Sequence, residues 1–88
     1  MKKTTTMKKR PKRVVGMDLS DESFLYQELD RDGEVMASGS VKLTRETLKA
    51  FLRERPKGTR VAFEAGGQSS WVRDEVEAAG HEIGRAHV

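Results

Sequence analysis

Apolar and polar positions alternate along most of this chain, and the period of the alternation marks out its elements. Val14, Val15 and Met17 form an almost continuous apolar run with Asp18 at its end, a pattern that suits a strand buried on both faces. From 23 to 30 (SFLYQELD) the period is two, with Phe24 and Tyr26 on one side and Leu25 and Leu29 on the other. From 34 to 42 (EVMASGSVK), Val35, Ala37 and Val41 alternate with Met36 and Ser38. Between these stretches, Asp30-Arg31-Asp32-Gly33 carries an Asp-Gly pair able to take the positive φ angles of a tight hairpin turn. The three strands are expected to form an antiparallel meander with the first strand central and most buried.

The period then lengthens. Thr44 suits a helix N-cap, Leu43 and Leu48 suit the hydrophobic staple around it, and Leu48, Phe51 and Leu52 recur at helical spacing until Pro56 and Gly58 stop the helix. Arg45, Lys49 and Arg53 fall at four-residue steps and read as the solvated face. Arg60 to Ala65 (RVAFEA) is a second apolar burst, and it too ends in an acid, Glu64. Gly66 and Gly67 lead into a helix from about Trp71 to Ala79, with Val72, Val76 and Ala79 as its apolar face and Gly80 as C-cap. A Gly-Gly pair ahead of a helix can cradle a phosphate, but this one lacks the spacing of a P-loop or a dinucleotide fingerprint and reads as a strand-to-helix turn. His81 to Val88 begin a last strand with Ile83 inward. The order is β-β-β-α-β-α with a mixed sheet, an α/β fold in which a right-handed crossover lays the fourth strand parallel to the first and beside it.

Composition narrows the setting. Eighty-eight residues make one small domain at most, of a size that buries only about 60% of its unfolded surface. There is no cysteine, and the only histidines are His81 and His87, which argues against disulfides and a structural zinc site. No apolar stretch has the length of a membrane span or a signal peptide, so the chain is expected to be cytoplasmic, with no membrane partner.

The net charge of +3 conceals a division. Residues 1–13 hold Lys2, Lys3, Lys8, Lys9, Arg10, Lys12 and Arg13, seven of the 17 basic groups, and no acid. The other residues, 14–88, carry 10 basic against 14 acidic groups, a net of −4. The basic segment is expected to be a disordered arm able to touch nucleic-acid phosphates, or a solvated tail that keeps the protein soluble.

The repeated arrangement of apolar run and acid is the main chemical signal. Alone, Asp18 suits either a turn, its carboxylate bonding nearby amides, or a metal ligand or general base at the C-terminal edge of a sheet. Parallel neighbours lie about 4.8 Å apart, so Asp18 and Glu64 are placed to share a cation. Oxygen ligands favour Mg²⁺ or Mn²⁺, and carboxylate clusters of this kind serve phosphodiester chemistry.

VGMDLSDESF, the hairpin DRDGEV and above all VAFEAGGQSSWVRDEVEAAGHE resemble the N-terminal part of the DEDD transposases of the insertion sequence 110 family. The resemblance runs from about Val14 to Glu82. It implies an incomplete ribonuclease H-like (RuvC-like) catalytic half-domain over 14–88, with Asp18 and Glu64 matching the family's first two catalytic and metal-binding acids. It also implies a role in DNA transposition and recombination, DNA and a structured guide RNA as partners, and oligomerisation of the full-length protein. The family's other two acids and its nucleophilic serine lie beyond Val88, Ser69 and Ser70 do not match that serine, and Gly84 to Val88 lack the apolar strand and proline of the family. The chain therefore reads as a truncated transposase that is inactive alone. Two alternatives remain: a small non-catalytic nucleic-acid binder, and an actin-like or sugar-kinase-type ATP-binding fragment. Against the latter, Leu19, Ser20 and Asp21 stand where those proteins carry a Gly-rich turn.

Overall fold

The computed structural model describes residues 12–64 and 69–85. The elements run β1 (Val14–Leu19), β2 (Ser23–Leu29), β3 (Val35–Lys42), α1 (Arg45–Arg53), β4 (Arg60–Phe63), α2 (Ser69–Ala78) and β5 (Glu82–Arg85). They build a five-stranded mixed sheet in the order β3-β2-β1-β4-β5, with two helices, an α/β arrangement. The meander pairs β1–β2 and β2–β3 antiparallel, while β1–β4 and β4–β5 are parallel. β1 is central, as expected.

Local chemistry sets each corner. Between β1 and β2 the Ser20 amide donates to the Ser23 carbonyl at 2.9 Å, and the Ser23 amide donates back to the Ser20 hydroxyl at 3.2 Å. At the next hairpin Asp30 Oδ1 accepts from the amides of Asp32 (2.9 Å) and Glu34 (3.0 Å), and Gly33 takes φ +88°, the role expected of the Asp-Gly pair. Thr44 caps α1: its hydroxyl accepts from the Thr47 amide, and the Thr47 hydroxyl accepts from the Thr44 amide at 3.0 Å. Leu43 and Leu48, the expected staple, are both buried. α1 stops at Arg53, ahead of Pro56, and Gly80 ends α2 with φ +84°.

Both helices pack on one face of the sheet. Leu48, Phe51 and Leu52 of α1 and Val72 and Val76 of α2 close over Val15, Met17, Phe24 and Val61. Burying a side chain of this size contributes about 1.5–3 kcal/mol. Phe51 sets its ring edge-on to Phe24 and Tyr26, at centroid separations of 5.2 Å and 4.8 Å.

Several expectations need correction. β1 is not buried on both faces: Val15 and Met17 are buried, but Gly16 and Asp18 are exposed, because the helices cover only one side. Val35 does not join Val41 against the core. A register irregularity between Glu28 and Leu29 sets Ala37 opposite Glu28 and Val35 opposite Leu29, and Val35 is left exposed. α2 begins two residues before Trp71. The last strand expected from His81 onward forms over Glu82–Arg85, parallel to β4 and with Ile83 packed on the core, so the order β-β-β-α-β-α gains a fifth strand.

Candidate functional site: the carboxylate edge

Strand polarity brings the two sequence-predicted acids to the same edge. β1 and β4 run parallel in the register Val14↔Arg60 to Met17↔Phe63, and Asp18 and Glu64 are the next residues of each. Met17 and Phe63 turn toward the core, so the alternation of the strands turns Asp18 and Glu64 to the side away from the helices. Both acids are exposed.

No hydrogen bond or ion pair engages either carboxylate among the described residues. The turn after β1 is closed by Ser20 and Ser23, while Asp18 stays in the ladder opposite Leu25. A turn-making role for Asp18 therefore has no support in the hydrogen bonding. Gly66 and Gly67, the weak phosphate-cradle candidates, lie outside the described residues. Among the described residues no group of three or more His, Cys, Asp or Glu side chains is placed to hold a metal ion. The edge offers two carboxylates, Asp18 and Glu64.

Of the basic arm, Lys2, Lys3, Lys8, Lys9 and Arg10 lie outside the described residues, and Lys12 is exposed. Arg13 is engaged by the body: its guanidinium donates to Glu28 Oε2 at 2.8 Å.

Glu28 and His81 are residues that sequence reasoning missed. Glu28 is only 5% exposed, and a second guanidinium, that of Arg55, reaches its Oε1 at 3.1 Å. Arg55 also lies 3.6 Å above the Phe51 ring and donates to the Phe51 carbonyl at 2.9 Å, so one side chain stacks, caps α1 and neutralises a buried acid. A signal existed: Glu28 has the parity of Phe24 and Tyr26, which points it inward. His81 is buried, and its Nε2 lies 2.8 Å from the Leu52 carbonyl. A carbonyl only accepts, so Nε2 carries the proton and caps the last turn of α1. Nδ1 has no partner among the described residues.

A groove of about 340 Å³ opens between the C-terminal ends of α1 and α2, with Lys49, Arg53, Arg55 and Lys57 around Leu52 and Ala79. It lies at the sheet end opposite Asp18. Its cations suit the negative ends of two helix dipoles, and Lys49 and Arg55 already face Glu75 and Glu28, so the groove needs no ligand to explain it.

No helix among the described residues is long and apolar enough to cross a membrane. Compared with known proteins, the chain matches no family model and no curated protein.

Proposed function

We propose that this chain is the first half of a RuvC-like ribonuclease H catalytic domain from a DEDD transposase, carrying two of the acids that a complete site would use. The observation behind this reading is the juxtaposition of Asp18 and Glu64, one step beyond Met17↔Phe63 on adjacent parallel strands and free of cationic partners among the described residues. Two carboxylates held side by side without a cation repel each other until a divalent ion arrives. In the complete protein, Mg²⁺ or Mn²⁺ would supply the activation of the nucleophile in phosphodiester chemistry. This chain's part is to present two carboxylates at the sheet edge, which by themselves break no bond.

DNA is the partner in this reading. The arm of Lys2, Lys3, Lys8, Lys9, Arg10 and Lys12 supplies sequence-independent phosphate contacts. Arg13 tethers the arm to the body through Glu28.

The test is thermal unfolding with and without Mn²⁺, run beside a DNA-cleavage assay. The expected outcome is a small Mn²⁺-dependent rise in Tm that is lost in Asp18→Asn and in Glu64→Gln, with no cleavage by the isolated chain. A melting curve indifferent to Mn²⁺, or cleavage above background, overturns the reading.

A further inference from the structure

Alternation along β1, β2 and β3 turns every second residue to the side of the sheet away from the helices. The pairs Asp18↔Leu25 and Leu25↔Ser40 set Asp18, Leu25 and Ser40 side by side at one level, and Glu64 follows on β4. All four are exposed, with Leu25 at 53% a large apolar side chain left in water. One level back, the pairs Gly16↔Gln27 and Gln27↔Ser38 make a second line on the same face. These pairs lie clear of the irregularity between Glu28 and Leu29, so their faces follow the regular two-residue period.

The two lines form a shelf that runs from the acid pair to the outer strand. A methyl group added at Gly16 would meet nothing within 4 Å, so the inner end of the shelf is open above. Gln27, Ser38 and Ser40 bring amide and hydroxyl groups and no acid. Lys42, in phase with Ser40, adds an exposed cation at the rim.

The other sides of the acid pair differ. Beyond Glu64 on the same face, the charge of Arg60 is already taken by Glu82, and the turn after β1 carries Asp21 and Glu22, both exposed. A polyanion that reaches Asp18 therefore meets uncompensated acids in those directions, and neutral donors with a lysine only over β2 and β3. Hydroxyl and amide groups bond phosphate and sugar oxygens, and an exposed leucine packs on a sugar or base that has left its stack.

We propose that the uncovered face of β2 and β3 is a docking surface for one unpaired strand of nucleic acid. Leu25 packs on the nucleotide beside the acid pair, and Gln27, Ser38, Ser40 and Lys42 follow the backbone outward. The proposal rests on the reading of Asp18 and Glu64 as metal ligands, because the ion cancels the charge that otherwise pushes a phosphate away. It adds a direction to that reading: the strand crosses the sheet from β1 toward β3.

The test is binding of the full chain to a short fluorescent oligothymidylate at low salt with Mn²⁺, read by anisotropy. Ser38→Asp and Ser40→Asp each put an anion on the shelf and should raise Kd roughly fivefold. Ala50→Asp makes the same change of net charge at an exposed position of α1 and should raise Kd no more than about twofold. Circular dichroism checks that each variant folds. The chain has no cysteine, so Leu25→Cys and Ala50→Cys can each carry one environment-sensitive dye. The oligonucleotide should shift the emission of the first dye and leave the second unchanged. A chain that does not bind, a dye at position 25 that does not respond, or equal weakening by the shelf and Ala50 variants overturns the proposal. The Mn²⁺-dependent rise in Tm tells the two failures apart. A rise with indifferent shelf variants keeps the ligands and removes the surface, whereas no rise removes the ligands on which the surface depends.

Discussion

At one end of the sheet Glu28 is buried between the guanidiniums of Arg13 and Arg55, and at the other Asp18 and Glu64 stand exposed with no cation against them among the described residues. The two arrangements belong to one small domain and use the same chemical group, so the contrast lies in what surrounds each carboxylate. Glu28 sits on the core side of β2, where a lone charge costs several kcal/mol, and the fold meets that cost with two charge-assisted contacts and a stacked aromatic ring. Asp18 and Glu64 sit on the uncovered side, where water solvates them and stability asks for no partner. The difference separates an acid that the fold requires from acids that the fold merely places.

Removing Glu28 should have the largest effect. Glu28→Ala leaves two guanidiniums without their acid, one of them, Arg55, mostly buried, and should cost about 3 kcal/mol, at the lower end for a buried pair because Arg13 is partly in water. In a domain of this size that lowers Tm by roughly 15 °C, readable by circular dichroism. A loss no greater than that of an ordinary surface substitution would erase the distinction between the two ends.

Arg55→Lys sharpens it at an intermediate level. Lysine keeps the charge but loses the planar fork that bonds Glu28 and the Phe51 carbonyl together, and it stacks less well on Phe51. The expected loss is about 1–2 kcal/mol by urea unfolding, near the worth of one charged hydrogen bond. No loss would mean that charge alone holds Glu28 in place.

At the exposed end the expected stability changes are the smallest. Asp18→Asn and Glu64→Gln should each leave metal-free stability within about 0.5 kcal/mol or raise it slightly, because a like charge is removed and no hydrogen bond is broken among the described residues. Chemical denaturation without Mn²⁺ measures this. A loss of about 1 kcal/mol from Asp18→Asn would instead make Asp18 a turn residue.

Much of the fold was legible where the determinants are local. Thr44 with Leu43 and Leu48, Asp30 with Gly33, and the apolar runs at Val14 and Val61 each carry their own signal, and right-handed crossover then supplies the strand order that brings Asp18 beside Glu64. What escaped depends on contacts distant in sequence. The apolar run of β1 does not reveal how many faces helices will cover. The irregularity beside Glu28 that turns Val35 outward arises only when β2 and β3 are paired. Glu28 finds its arginines 15 and 27 positions away, and no spacing rule connects them.

The His81 cap bears on the order in which the chain folds. β1, β2 and β3 close through short turns, and α1 receives its first cap from Thr44 next door. The last turn of α1 must wait for an imidazole 29 residues beyond Leu52, and β1 must wait for β4 to fill its second side. The meander can therefore pair from local turns alone, whereas half of the hydrogen-bonding capacity of β1 depends on β4, which follows α1 in the chain. Long-loop closure dominates the later step, and the arrival of β4, α2 and His81 converts a local hairpin assembly into a cooperative domain.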